Sequence, residues 1–241
     1  LIAAVRAHLP IVHRYYELRR RLLGLDEIHH YDCYVPLVPE LEQKHTWAEA
    51  IQEITASLQP LGTEYCDQLE AGLRGRWCDR YPNVGKQSGA FSSGTYESDP
   101  YILMNFQEDV IEHVFTLAHE AGHSMHTRLS ADAQPFQYAG YTIFVAEVAS
   151  TFNEQLLTRH LLSKAHSPKQ RAAIISREID AIRGTIIRQT MFAEFERMSH
   201  SSVESGEPLT LEKIRTIYRE LLTAYFGSGF AIDEALELES L

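Results

Sequence analysis

A chain of 241 residues is long enough for one large or two small domains, and its 44% hydrophobic and 23% charged content is that of a globular protein. The formal charge of −11 argues against nucleic-acid binding as the main task, because phosphate contacts need clustered Lys and Arg, and the single basic run, Arg19-Arg20-Arg21, reads as a solvated helix face. No apolar run approaches the ~20 residues of a membrane span, the start lacks a secretory cleavage pattern, and Cys33, Cys66 and Cys78, odd in number and without C-x-x-C, point to reduced thiols in a cytoplasmic protein.

The predicted elements are mainly helical. An amphipathic helix over 1–23 carries Pro10 as a bend and ends near Gly24. Residues 36–39, between two prolines, are extended or loop. Thr46 with Glu49 forms a capping box that opens the next helix, and Pro60 starts a fresh turn before the segment to Leu73. From Trp77 the pattern changes. Gly85, Gly89 and Gly94, with Ser88, Ser92, Ser93 and Thr95, punctuate turns and short strands, and Tyr101-Ile-Leu-Met-Asn-Phe106 reads as a strand. The run from Gly85 to Gly94 lacks G-x-x-x-x-G-K and is no phosphate loop. Asn105 with Glu108 resembles a second capping box, opening a helix over 106–130 with Val114, Phe115, Leu117, Ala118, Ala121 and Met125 at helical spacing. Phe144, Val145, Val148, Phe152, Leu156 and Leu157 mark another helix. Ser167-Pro168 launches a long helix to about Met198, residues 201–208 are a turn, and a last helix over 211–226 is ended by Gly227-Ser-Gly229.

Within the helix over 106–130 lies His119-Glu120-Ala121-Gly122-His123. Residues i and i+4 project from one helix face about 6 Å apart, so both imidazoles can reach one zinc ion at roughly 2.1 Å. Glu120 is about 100° round the helix, bordering the metal and placed to take a proton from activated water. With twelve histidines in the chain, five such letters arise by chance in roughly one chain in twenty, so context decides. The alternative is a buried structural histidine pair, which leaves several polar groups needing partners. Gly122 costs the helix about 1 kcal/mol relative to alanine, which implies a close neighbour.

Catalytic zinc sites use three protein ligands and keep a position for water. The extended metzincin pattern fails because His126 and Leu129 stand where a glycine and a histidine are needed. A thermolysin-like spacing calls for a glutamate near Ile143, and no acid occurs from Ala133 to Ala146. The first carboxylate on the later helix is Glu147, a lone acid in an apolar run and expensive there unless paired with a cation or metal. Glu147 is therefore assigned as the third ligand. Glu154, two turns on along the same face, reads as a carboxylate orienting a ligand histidine or as an ordinary exposed acid. His126 shares the histidine face a further turn along and reads as a supporting or structural residue.

The segments Lys86-Gln-Ser-Gly-Ala-Phe-Ser-Ser-Gly-Thr-Tyr96, Pro100-Tyr-Ile-Leu-Met-Asn105, Phe115-Thr-Leu-Ala-His-Glu-Ala-Gly-His-Ser-Met-His126 and Ile143-Phe-Val-Ala-Glu-Val-Ala-Ser-Thr-Phe-Asn-Glu154 resemble oligoendopeptidase F, within the thimet oligopeptidase family. The likeness extends to Leu22-Leu-Gly-Leu-Asp26, Tyr31-Asp-Cys-Tyr-Val-Pro36 and Arg188-Gln-Thr-Met-Phe-Ala-Glu-Phe-Glu196. It implies a mainly α, helical zincin-type catalytic region with a small β-sheet or hairpin beside the zinc helix. It also implies one Zn2+ per chain on His119, His123 and Glu147, with Glu120 as catalytic base. Residues 1–241 are then part of one peptidase catalytic domain: N-terminal helices over 1–75, turns and strands over 76–106, zinc-site helices over 107–166 and C-terminal helices over 167–241. Members of the family are longer. The resemblance places a segment that stabilises the oxyanion after Leu241, so the chain reads as an internal piece of a peptidase.

The expected function is a zinc metalloendopeptidase hydrolysing oligopeptides through zinc-activated water, without a covalent intermediate. No G-x-S-x-G pattern supports a serine nucleophile. Gly89, Ala90, Phe91, Tyr101, Leu103, Tyr138 and Tyr141 are candidate substrate contacts, with a strand beside the zinc helix holding peptide by main-chain bonds; the bland reading is a structural hairpin. The alternatives are a zinc-binding but catalytically incomplete fragment and a structural helical module. No nucleic-acid or membrane partner is expected.

Overall fold

The computed structural model describes residues 1–38 and 44–239; Pro39, which closes the expected extended stretch, and the last two residues lie outside them. In chain order the elements are α1 (Ile2–Leu23), α2 (Trp47–Ser57), α3 (Thr63–Arg74), β1 (Cys78–Asp79), β2 (Phe91–Ser93), β3 (Tyr101–Leu103), α4 (Ile111–Ala133), α5 (Ile143–Lys164), α6 (Pro168–Ile182), α7 (Gln189–Glu204) and α8 (Leu211–Phe226). The chain is thus mainly helical with one small sheet. It forms two compact units, one from the described residues within Leu1–Pro39 and Ala172–Leu241, the other from those within Glu40–Arg171.

In the unit spanning 40–171, Thr46 and Glu49 cap α2 reciprocally, as the capping-box spacing predicts. Trp47, Ile51, Ile54, Leu69, Leu73, Ile102, Phe106, Val114, Phe115 and Leu117 form the core between α2, α3, the sheet and α4. The strands lie in the order β1-β3-β2, with β1 parallel and β2 antiparallel to β3. Ile102 faces the core and Ser92 is its cross-strand partner, so by strand alternation both turn the same way, towards α4.

Helix α4 starts at Ile111 rather than 106. The Asn105 amide does not cap it but donates to the carbonyls of Gln87 (3.0 Å) and Gly89 (3.1 Å), tying down the turn before β2. Val110, in extended conformation, precedes the helix with no side-chain cap. On α5 the expected apolar face is buried only towards its C-terminal half, where Leu157 enters the core and Leu156 packs against it. Phe144, Val148 and Phe152 are exposed, whereas the buried residues are Ser150, Asn153, Leu157 and Thr158. Small polar groups face α4 because the two helices approach more closely than large side chains permit.

In the other unit, α1, α7 and α8 share a core of Val5, Leu9, Tyr16, Met191, Tyr218, Leu222 and Tyr225. Helix α1 runs through Pro10 to a left-handed Gly24 (φ 68°), whose N–H caps the carbonyls of Arg20 and Arg21. Arg19, expected in solvent, is fully buried and donates to the main-chain carbonyls of Asp32 (2.9 Å) and Val35 and to Asp180 (3.2 Å). Its planar guanidinium thus bridges two main-chain carbonyls of one turn and a carboxylate. The long helix expected from 168 consists of α6, a π-helical stretch Arg183–Arg188 and α7, and continues past Ser201 to Glu204, ending where Gly206 takes a positive φ of 84°.

Candidate metal centre

Helices α4 and α5 pack side by side at Gly122. A Cβ built there meets the Ser150 Cα at 2.6 Å, the Ala149 carbonyl oxygen at 2.8 Å and the Ser150 nitrogen at 2.9 Å, so only glycine admits this approach. Asn153 spans the same interface, donating to the Ala118 carbonyl (3.2 Å) and sharing a hydrogen bond with the Tyr65 hydroxyl of α3.

This packing sets Glu147 of α5 opposite the two histidines of α4. The His119 Nε2 lies 3.1 Å from the His123 Nε2, and the Glu147 Oε2 lies 3.3 Å from the first and 3.5 Å from the second. The points equidistant from these three atoms begin about 1.9 Å from each, in their plane, so a point slightly out of plane meets the roughly 2.0–2.2 Å of zinc–nitrogen and zinc–oxygen bonds. Among the described residues this is the group of His, Cys, Asp and Glu suited to a metal ion. The Nδ1 of His119 is 2.8 Å from the Glu154 Oε1, which makes Nδ1 the protonated nitrogen and leaves the Nε2 lone pair facing the centre. His123 makes its other polar contact with the main chain of Ala146. Three acceptor atoms converge on one point, and such an arrangement calls for a cation. The residues therefore fit a metal ion with three protein ligands, the number that leaves a coordination position open.

Electrostatics divide the two imidazoles. Burial disfavours a charge on His119, but the Glu154 hydrogen bond and the charges of Glu154, Glu120 and Glu147 outweigh it and push this group above the ordinary imidazole value. Burial, with His119 and His126 nearby, holds His123 below it despite the pull of Glu147. Glu120 is buried beside the ligands, and burial together with the Glu147 and Glu154 charges raises its carboxyl above the usual range, against His119 and a hydrogen bond from the Ser92 N–H. Ser92 reaches this position because β2 is pinned to α4: its hydroxyl is 2.8 Å from that of the buried Ser124.

The structure brings His119, Glu120, His123, Glu147 and Glu154 together, with the remaining candidates around or beyond this group. His126 stacks on the Tyr141 ring (centroids 3.7 Å apart), and the Tyr141 hydroxyl is engaged with the Thr127 hydroxyl at 2.8 Å. Tyr138 is exposed in a short 3₁₀ turn. The side chains of Phe91, Tyr101 and Leu103 alternate with Ser92 and Ile102 and so turn away from α4. Strand β3 has neighbours on both sides, which commits its main chain; the open edge beside Glu120 is that of β2, preceded by Gly89 and Ala90. Ser92, Ser124, Ser150, Asn153 and Tyr65 carry no chemical signature that sequence reading singles out. Ser150, three residues after Glu147, and Ser124, four after Glu120, have helical spacings that could have flagged them. All three cysteines are free, and burial pushes the thiols of Cys33 to about 11 and Cys78 to about 12, far from nucleophilic.

The sequence model of peptidase family M3 matches residues 1–240. The chain belongs to peptidase family M3. This M3 chain is 48% identical over 239 residues to oligopeptidase PepF of Bacillus subtilis, covering 99% of the chain and 36% of the relative. It is 43% identical over 242 residues to an oligoendopeptidase F homolog of Borreliella burgdorferi, covering 100% of the chain and 41% of the relative. Among solved structures, oligoendopeptidase-F from Enterococcus faecium superposes with a TM-score of 0.68 at 32% identity, over 99% of this chain and 34% of that one. The M3 chain therefore spans well under half the length of these relatives. No helix among its described residues is long and apolar enough to cross a membrane.

Proposed function

We propose that this M3 chain carries the zinc centre of a cytoplasmic metalloendopeptidase that hydrolyses internal bonds of oligopeptides. The observation that carries the reading is the convergence of His119, His123 and Glu147 on one point with the buried Glu120 carboxyl beside it. The names of the relatives, oligopeptidase and oligoendopeptidase F, support the substrate class.

A zinc ion held by these three residues supplies Lewis acidity and lowers the pKa of water towards ~7. The protein's part is orientation and proton movement. Glu154 holds the His119 ring with Nε2 facing inward, and the Ala146 main chain does the corresponding work for His123. Glu120 takes a proton from the attacking water on its carboxylate and returns it to the departing amine nitrogen, so one group serves as base and then acid. The open edge of β2 holds a peptide as an added strand, fixing the scissile carbonyl by main-chain bonds with little demand on side chains. No acyl-enzyme forms.

The test is zinc content together with hydrolysis of an internally quenched oligopeptide, for the chain and for Glu120→Gln. One zinc per chain in both, with hydrolysis reduced by about 10²–10⁴ in the variant, is the expected outcome. A chain lacking stoichiometric zinc, or a variant with unchanged turnover, refutes the proposal. Zinc bound without hydrolysis by the unmutated chain assigns it instead the catalytically incomplete role.

A further inference from the structure

Resting on the zinc site proposed above, we infer that Ser150 is a positioning residue that aims the Glu147 carboxylate at the metal ion. The Ser150 hydroxyl is 2.7 Å from the Glu147 Oε2. That is the same oxygen that faces His119 and His123 at 3.3 and 3.5 Å. Ser150 also lies 3.2 Å from the Glu147 main-chain carbonyl, but the Thr151 hydroxyl already donates to that carbonyl at 2.5 Å. The shorter contact, to a charged acceptor, takes the single Ser150 proton to the carboxylate.

Glu147 needs such a partner more than the histidines do. Its side chain is 54% exposed, against 27% for His119 and 18% for His123. It stands on a stretch of α5 where Phe144 and Val148 are also exposed, so little packing restricts its rotamers. Each histidine has a partner on its far side, Glu154 for His119 and the Ala146 main chain for His123. Ser150 fills that office for the carboxylate. It is itself fully buried, with its Cα against Gly122 of α4. The hydroxyl therefore carries the register of α4, which bears both histidines, to the one ligand on α5. Outer groups that orient ligands in this way typically change metal affinity by about 10–100-fold when removed.

The experiment is a zinc titration of the whole chain against a chromogenic chelator, with unfolding followed in the presence and absence of zinc. Ser150→Ala is expected to bind zinc at least about tenfold more weakly and to gain less thermal stability from it, with the metal-free unfolding temperature little changed. In a Glu147→Gln background the serine substitution is expected to add less than twofold, because its action runs through the carboxylate. If Ser150→Ala folds poorly, Ser150→Gly removes the hydroxyl without adding bulk or a metal ligand and is expected to show the same weakening. Unaltered affinity in Ser150→Ala or Ser150→Gly overturns the inference, as does an equal loss in the Glu147→Gln background. Absence of stoichiometric zinc in the unmutated chain overturns the site itself, and the inference with it. Normal zinc binding by that chain with unaltered Ser150→Ala affinity overturns the serine's role alone.

Discussion

Replacing Gly122 by alanine separates helix propensity from helix packing, because the two act in opposite directions. In an unconstrained helix interior the change stabilises by about 1 kcal/mol. Here the new methyl would stand 2.6 Å from the Ser150 Cα and 2.8 Å from the Ala149 carbonyl oxygen, both backbone atoms that no rotamer change can move. To restore an ordinary contact of 3.4 Å, α5 must retreat by about 0.8 Å. Overpacking of this kind costs about 1–3 kcal/mol, so the net effect on metal-free stability is a loss of up to about 2 kcal/mol. Glu147 lies one turn before Ser150 and moves with it. Ligand distances tolerate only about 0.2 Å, so the retreat carries Oε2 out of bonding range unless the side chain stretches after the ion. Gly122→Ala should therefore weaken zinc binding by at least about tenfold, measured by chelator competition, while unfolding monitored by circular dichroism shows equal or lower stability. A variant about 1 kcal/mol more stable, with zinc affinity intact, would refute the close-packing argument.

Glu154→Ala frees the His119 Nδ1 and is expected to lower zinc affinity about 10–100-fold without unfolding the chain; the same chelator titration checks it. Gly72→Ala sets a methyl 2.2 Å from the Trp77 ring and should destabilise by about 1–3 kcal/mol, with a shift in tryptophan emission as the indole is displaced. Burial alone would raise the Glu194 carboxyl, yet hydrogen bonds from Arg6 and Tyr225 and the charges of Arg6 and Arg197 hold it below the ordinary value. Its contribution is then complete above the unfolded value of roughly 4.3 and is lost as pH falls through the lowered folded value. Glu194→Gln should cost about 1–3 kcal/mol at neutral pH and flatten stability against pH below that point; denaturant titrations from pH 3 to 7 with an unchanged acid limb would contradict this.

What the sequence could determine by itself is what helix geometry determines within a few residues. Four-residue spacing places His119 and His123 on one face, Thr46 and Glu49 three apart make a cap, and the apolar periods mark where helices run. Elimination of other acids then left Glu147 as the carboxylate to test, and the structure puts its Oε2 within 3.5 Å of both histidines. Only the tertiary structure decided which face of each helix is buried and what meets across it. In the first half of α5 the apolar Phe144, Val148 and Phe152 are exposed and small polar residues face α4, a choice set by the glycine contact and invisible to periodicity. Arg19 is buried because carbonyls of Asp32 and Val35, more than ten residues away, converge on it. Ser92 meets Glu120 because strand pairing carries residue 92 alongside a helix that begins at 111. Each of these depends on the packing of elements distant in the chain, and packing is a property of the assembled surfaces rather than of any local run of residues.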